Sequence, residues 1–215
     1  MKRKTLNFLI IISAITAISV LYFYPPLYDF FKPLTTILIL LIPILYGNKK
    51  LKQYRNGIIA ALVFCLLGDT FLLRDAYFIY GLAAFLIAHL LFAFSFTRLG
   101  GFRYALRPIG FLVALSAGYY YYLYPNLESM KIPVAIYIGC IVLMCWQGVA
   151  LFLRERHNRF LMIAIAVLLF LFSDALIALE KFKMDFASSG ILILSTYWLS
   201  ILLLANSTVT LFQED

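Results

Sequence analysis

Residues 160–180 read FLMIAIAVLLFLFSDALIALE, an apolar run interrupted by Ser173 and Asp174 and ended by Glu180. A helix needs about 20 such residues to cross the hydrocarbon core of a bilayer. The apolar residues do not alternate with polar ones, as they would in a strand of a membrane barrel. The stretch therefore predicts a transmembrane helix that carries a carboxyl group.

Similar apolar runs occupy most of the 215-residue chain, which is 64% hydrophobic and 13% charged. Soluble domains average about 45–50% apolar and about 25% charged residues, so most of this surface must face lipid. Only helices and closed barrels satisfy every backbone polar group in lipid. We predict an all-α polytopic bundle of eight transmembrane helices, forming a single domain over residues 1–215. The predicted helices are Leu6–Tyr24, Pro33–Tyr46, Asn56–Leu73, Tyr77–Thr97, Pro108–Tyr124, Ile132–Leu153, Phe160–Glu180 and Ser188–Leu211.

The basic residues predict how this bundle is oriented. The net charge is +8, and 13 of the 18 Lys and Arg residues lie at one set of helix ends. Basic residues accumulate on the cytoplasmic side, so we expect both termini there, in a bacterial inner (plasma) membrane. Short clusters of this kind orient a membrane protein, and we expect no nucleic-acid partner. The 13 residues are Lys2, Arg3, Lys4, Lys49, Lys50, Lys52, Arg55, Arg98, Arg103, Arg107, Arg154, Arg156 and Arg159.

Ionisable side chains inside the predicted spans mark a candidate site. Charged groups are costly in hydrocarbon, so they usually face the bundle interior and usually have a function. Asp69 and Asp174 lie about 6 Å and 9 Å from the outer ends of their helices, at about 1.5 Å per residue. Lys32 begins helix two at that level, while His89 and Tyr197 lie near the middle of their helices. We expect these five residues to line one cavity that opens to the outer face.

Two carboxyl groups in a cavity of low dielectric constant suit acid–base chemistry. One can stay protonated and act as a general acid, while its partner, held ionised by Lys32, stabilises positive charge or activates water. Other hydrolytic mechanisms fit less well. The chain has no G-x-S-x-G motif, which is typical of serine hydrolases. A zinc hydrolase needs about three His or Cys ligands, and the chain has two histidines. The G-x-G-D pattern of intramembrane aspartyl proteases fails at residues 66–69, which read LLGD.

A faint internal repeat relates the two halves of the chain. Helix three contains LLGDTFLL and helix seven contains LFSDALIA, so each places one aspartate in an apolar run. The two octamers lie four helices apart, which predicts a weak four-plus-four repeat of parallel topology.

Several motifs resemble those of the YhhN-like family of integral membrane lysoplasmalogenases, in family order and over most of the chain. One departure is that Ala-Gln is expected after the tyrosine of helix eight, whereas WLSI follows here. The matching motifs are Lys32-Pro33-Leu34, LLGDTFLL around Asp69, Gly81 with the run to His89-Leu90-Leu91, FSDALIAL around Asp174, and Thr196-Tyr197.

The resemblance implies hydrolysis of the vinyl ether bond of lysoplasmalogens with ethanolamine or choline headgroups. The products are a fatty aldehyde and a glycerophospho-base, water is the co-substrate, and no metal or other cofactor is required. It implies Asp69 and Asp174 as the catalytic pair and Lys32, His89 and Tyr197 as substrate-binding residues, with Lys32 at the phosphate. The expected partners are a lysophospholipid and the surrounding membrane lipids.

Two other classes of function remain open from the sequence. A proton- or ion-coupled small-molecule transporter would also use intramembrane aspartates, and it would move a solute without changing it. A non-catalytic lipid-binding scaffold would turn over no lipid, so Asp69→Asn and Asp174→Asn would have no effect on turnover.

Overall fold

Eight long α-helices make up residues 2–211, the part of the chain that the computed structural model describes. They confirm the predicted all-α architecture and helix count, and most boundaries lie within a few residues of those predicted. The helices are α1 (Arg3–Phe23), α2 (Pro25–Tyr46), α3 (Lys52–Phe71), α4 (Phe78–Thr97), α5 (Leu106–Leu123), α6 (Lys131–Glu155), α7 (Asn158–Phe182) and α8 (Ser189–Thr210).

Within the described residues, seven helices are long and apolar enough to cross a membrane, and α5 is the helix outside this set. It is short, begins with Leu106-Arg107-Pro108 and ends in the tyrosines of residues 119–122. Aromatic residues with a polar group favour the membrane interface over the hydrocarbon core. The chain is an integral membrane protein, and the orientation with both termini in the cytoplasm stays a prediction.

Helix α2 begins at Pro25, eight residues before the predicted start at Pro33. Proline is favoured in the first turn of a helix, so Pro33 was a reasonable first residue, but Pro25 and Pro26 occupy that position instead. Pro33 lies inside the helix, where it removes one backbone hydrogen bond. The predicted start was therefore wrong, and Lys32 lies about two turns inside α2 instead of at its first turn.

The packing of the helices centres on α3, α4, α7 and α8. Helix α3 packs extensively on α4, and α7 on α8, while α8 also contacts α1, α2 and α3. Helix α4 reaches α6, which in turn packs on α7. Helix α5 packs mainly on α6 at the periphery. Aromatic side chains such as Phe92 and Phe170 fill the centre of the bundle.

Close approach of α3 and α4 depends on Gly57. A Cβ atom at this position would lie 2.1 Å from Oγ of Ser95 on α4. Small residues at such contacts let two membrane helices approach until their backbones pack. Gly118 on α5 offers a contrast, because a Cβ atom there meets nothing within 4 Å.

We expect Gly57→Leu to destabilise the bundle by about 1–3 kcal/mol, since the added side chain forces α3 away from α4. Gly118→Leu is the matched control, because both changes remove a glycine from a helix and so share the same gain in helix propensity. The melting temperature in detergent should fall for Gly57→Leu, whereas it should hold or rise slightly for Gly118→Leu. Equal changes in the two variants would contradict the close contact.

Candidate active site

The first polar centre surrounds Asp69 of α3, which is 1% exposed. Its Oδ2 atom accepts hydrogen bonds from Thr36 Oγ1 of α2 at 2.5 Å and from Tyr197 Oη of α8 at 2.8 Å. Trp198 Nε1 donates in turn to Thr36 Oγ1 at 3.4 Å. Three helices therefore meet at one carboxyl group, and the donors favour its ionised form.

Lys32 lies one turn before Thr36 on α2 and is 6% exposed. Its Nζ atom lies 5.7 Å from the ring centroid of Tyr28. The ammonium group interacts electrostatically with Asp69 and Asp29. No direct ion pair joins Lys32 to a carboxyl group among residues 2–211, so this attraction acts through space. The cation nevertheless adds to the hydrogen bonds that stabilise a negative charge on Asp69.

The second polar centre surrounds Asp174 of α7. Tyr137 Oη of α6 donates a short hydrogen bond to Asp174 Oδ2. His89 Nε2 of α4 lies 3.4 Å from the same oxygen, and the His89 side chain is 0% exposed. Neither ring nitrogen of His89 has a hydrogen-bond partner among the described residues. A buried imidazole without a partner is costly, and a small rotation of the ring would let Nε2 bond to Asp174.

Aromatic rings separate the two centres. Phe170 lies 4.7 Å from the His89 ring and 5.5 Å from the Tyr197 ring, measured between centroids. Phe85 lies 5.7 Å from the Tyr197 ring and 6.2 Å from Phe170. The thiol of Cys65 is close enough to both carboxyl groups to interact electrostatically with each. The five predicted site residues thus occupy two neighbouring centres in the middle of the bundle.

A cavity of about 410 Å³ lies between α4, α5, α6 and α7, and it reaches Asp174. Its lining is apolar apart from the side chains of Asp174, Tyr119, Tyr137 and Ser116. Along α7 the lining runs from Leu168 to Phe182, which is about 21 Å at 1.5 Å per residue. Of the five predicted residues, Asp174 is the one that lines this cavity.

Metal ligation needs several donor side chains held together, usually three or more. Residues 2–211 contain no group of three His, Cys, Asp or Glu side chains arranged to hold a metal ion. The groups at this site that can exchange a proton include two carboxyls, an imidazole, the phenols of Tyr137 and Tyr197, the amine of Lys32 and the thiol of Cys65.

The sequence analysis missed Thr36, Tyr137 and Trp198. Thr36 lies four residues after Lys32, and residues at that spacing share one face of a helix, so the helical period could have identified it. Tyr137 lies in a long apolar run of α6 and carries no signal that separates it from a packing residue. Trp198 occupies the position where the family motif departs, and its indole nitrogen bonds to the Asp69 centre.

These features define a class of protein: a polytopic helical membrane protein with two buried carboxyl centres and an apolar cavity beside one of them. Residues 27–208 match the YhhN family, and the chain belongs to this family. The family resemblance seen in the motifs is thereby confirmed.

Curated relatives of this chain carry the name lysoplasmalogenase, and three of them illustrate the similarity. The chain is 36% identical to lysoplasmalogenase TMEM86A of Bos taurus over 163 residues, which cover 71% of this chain and 65% of the relative. It is 36% identical to TMEM86A of Homo sapiens over 158 residues, with coverage of 71% and 65%. It is 31% identical to lysoplasmalogenase TMEM86B of Homo sapiens over 158 residues, with coverage of 73% and 65%. The chain thus spans 65% of the length of these relatives, which is less than two thirds, and no solved structure matches it.

Proposed function

We propose that this protein is a membrane hydrolase that cleaves the vinyl ether bond of lysoplasmalogens with ethanolamine or choline headgroups. The products are a fatty aldehyde and a glycerophospho-base. The observation that carries the proposal is a single carboxyl group, Asp174, in the wall of a largely apolar cavity inside a membrane bundle. The names of the YhhN relatives support the same reaction.

The first step is transfer of a proton from Asp174 to carbon. A carboxyl group removed from water, with no cation beside it, favours its neutral form. Tyr137 donates to Oδ2, so the acidic proton resides on Oδ1. The π electrons of the vinyl ether form the new C–H bond, and the ether oxygen shares the positive charge as an oxocarbenium ion. A positioned general acid of this kind contributes about 10²–10⁴-fold to a rate.

Water completes the reaction. It adds to the oxocarbenium carbon and gives its proton to the carboxylate of Asp174, which forms a hemiacetal and regenerates the acid. The hemiacetal then breaks its C–O bond to the glycerol, with one proton moving from the hydroxyl to the departing oxygen. The carboxyl group of Asp174 can carry out this transfer, because it gives its proton to the departing oxygen and takes the hydroxyl proton in return, while His89 Nε2 lies 3.4 Å behind it. The sum is one vinyl ether and one water converted to one aldehyde and one alcohol.

Asp69 acts in this proposal as a fixed negative charge. Its carboxylate accepts bonds from Thr36 and Tyr197 and is balanced by Lys32. Phe85 lines the cavity and contacts Tyr197, so one aromatic layer separates Asp69 from a bound substrate. Charges interact more strongly in an interior of low dielectric constant, so this carboxylate stabilises the oxocarbenium ion from behind the cavity wall.

The purified protein in detergent should release free aldehyde from lysoplasmenyl-ethanolamine. The ester-linked lysophosphatidylethanolamine with the same headgroup and a chain of equal length is the control, since it has no vinyl ether to protonate. Aldehyde from the first lipid and no fatty acid from the second is the expected result. A well-folded protein that releases no aldehyde would remove this function.

A proton- or ion-coupled small-molecule carrier is the second candidate. It is favoured by one observation, the buried charges of Lys32 and Asp69, which lie outside the cavity lining. Charged side chains inside a membrane bundle often mark an ion path. Proteoliposomes would then show flux of an unchanged solute, and the flux would be lost in Asp69→Asn.

A further inference from the structure

We propose that a pocket at one end of the bundle, formed by the start of α3 and the end of α4, binds the phosphate group of an anionic ligand. This basic pocket has a volume of about 290 Å³ and lies at the end that holds 13 of the 18 Lys and Arg residues. Binding here is independent of the proposed function, because no bond of the ligand is broken. The lining residues are Lys50, Leu51, Lys52, Gln53, Tyr54 and Arg98.

The basic pocket concentrates positive charge. Its three cations come from Lys50, Lys52 and Arg98, and its lining contains no carboxyl group. In the described part of the chain, neither lysine side chain forms a hydrogen bond or an ion pair. Among the described residues, the one acid at this end of the bundle is Glu155, and Arg103 Nη2 already binds it at 3.0 Å. The three cations therefore lack a counter-charge, which an anionic ligand supplies.

Contacts within both helices hold the lining in place. Tyr54 is 1% exposed, and its Oη atom shares a hydrogen bond of 2.5 Å with Ser207 Oγ of α8. The guanidinium carbon of Arg98 lies 4.1 Å from the ring centroid of Phe94, and stacking of this kind leaves the N–H donors at the edge of the group available. The close contact between α3 and α4 lies about one turn further into the bundle. A lining held in this way loses little conformational freedom when a ligand binds.

The first turn of α3 adds backbone donors to the three cations. Lys52 and Gln53 begin this helix, and no side chain caps it. The first N–H groups of a helix and its dipole favour a negative charge. Several donors around one pocket match a group with several acceptor oxygens. Phosphate has more of these than a carboxylate, so it is the better match.

The ligand of the basic pocket is a second molecule and not a substrate bound at Asp174. The linings of the basic pocket and of the apolar cavity share no residue. Along α4, Arg98 lies about 14 Å beyond His89, the neighbour of Asp174, at 1.5 Å per residue. In a lysoplasmalogen, about seven bonds join the phosphorus to the carbon that is protonated, which is about 8 Å in an extended chain. A lipid that presents its vinyl ether to Asp174 therefore cannot place its phosphate in the basic pocket.

The phosphate can belong to a lipid headgroup or to a soluble ester. Basic clusters next to a membrane-spanning helix attract anionic phospholipids, whose phosphates lie at the level of the helix ends. A volume of about 290 Å³ with a mostly polar lining suits a headgroup, while the acyl chains stay in the bilayer. A soluble phosphate ester would use the same cations without the chains.

Thermal unfolding in detergent tests the site, with dioctanoyl phosphatidylglycerol as the anionic lipid and dioctanoyl phosphatidylcholine as the zwitterionic control. A ligand that binds the folded protein raises its melting temperature. We expect a rise with phosphatidylglycerol and none with phosphatidylcholine. A parallel titration with glycerol phosphate distinguishes the sources, since a rise there assigns the site to soluble phosphate esters as well as lipids. No rise with either anion would overturn the proposal.

The double variant Lys52→Gln/Arg98→Gln removes two of the three cations, and Arg154→Gln/Arg156→Gln is the matched control. The control removes the same charge from the same end of the bundle, but both of its arginines are exposed and lie outside the lining. Affinity for phosphatidylglycerol should fall about 25-fold in the first variant, at about fivefold for each basic residue, and stay within about twofold in the second. Equal losses in the two variants would assign the attraction to net charge and overturn the pocket.

Hydrogen–deuterium exchange of the wild-type protein decides the matter if a variant does not fold. Phosphatidylglycerol should slow the exchange of the backbone amides at residues 52–54, whereas phosphatidylcholine should not. The first turn of α7, which begins at Asn158 at the same end of the bundle, is the internal control. Slower exchange at both helix starts, or at neither, would overturn the proposal.

Discussion

Asp174→Asn should lower the release of aldehyde by about 10²–10⁴-fold, the contribution of a general acid, because the cavity lining has no other carboxyl group to replace it. Protonation of carbon is the slow step of vinyl ether hydrolysis, and an amide has no acidic proton to give. Asparagine keeps the shape of the side chain and an oxygen that accepts from Tyr137. Binding of the lipid should therefore change little, and the loss should appear in kcat.

Asp185→Asn is the control for charge alone, because Asp185 is an exposed carboxylate just beyond α7. It should keep wild-type turnover. Tyr137→Phe should cause a smaller loss than Asp174→Asn, since it removes the bond that orients the acid but leaves the proton. Each variant is first checked for a wild-type melting temperature in detergent. A folded Asp174→Asn protein with wild-type turnover would assign the proton transfer to another residue.

The sequence predicted those parts of the molecule that depend on hydropathy and on local spacing. Long apolar runs gave eight helices, and Asp69, Asp174 and His89 were recognisable because ionisable groups are rare in such runs. The start of α2 was wrong because Pro25 and Pro33 are both acceptable first-turn residues. The choice between them depends on how α2 packs against its neighbours, which the local sequence does not contain.

The composition of each centre depends on which helices are neighbours. The positions of Asp69 and Asp174 along their helices predicted that both lie at the same depth in the membrane. Position along a helix does not tell which way a side chain points around the helix axis. Tyr137 reaches Asp174 because α6 packs on α7. The sequence around a tyrosine in an apolar run does not indicate which side chain the tyrosine contacts. The separation of two centres by Phe85 and Phe170 is likewise a property of the assembled bundle.

The arrangement of partners bears on the predicted four-plus-four repeat. Asp69 receives a bond from Thr36 on the second helix and from Tyr197 on the eighth. Asp174 receives one from Tyr137 on the sixth helix and has His89 of the fourth beside it. Each aspartate thus has one partner from the second helix of its own half and one from the last helix of the other half. This exchange supports the repeat, which stays a prediction.

Asp69→Asn should lower both the activity and the stability of the protein. The loss of stability is the more diagnostic of the two, because it tests whether Asp69 balances the charge of Lys32. The carboxylate is the charge that balances the buried ammonium of Lys32 inside the bundle, although the two form no direct ion pair. Removal of one member of a buried charge pair costs about 3–5 kcal/mol, because the other charge is left uncompensated. We expect a smaller loss here, because Lys32 and Asp69 form no direct ion pair and Asp29 also attracts Lys32. Thermal unfolding in detergent measures the loss, and Asp75→Asn, at a 94% exposed carboxylate, is the control.

The double variant Asp69→Asn/Lys32→Met separates charge balance from catalysis. Methionine keeps much of the length of the lysine side chain and removes the charge, so the double variant should recover most of the stability lost in Asp69→Asn. It should not recover turnover, because no negative charge remains behind Phe85 to stabilise the oxocarbenium ion. Recovery of both properties would make Asp69 a structural counter-charge to Lys32 and would leave Asp174 as the one carboxyl group that acts on the lipid.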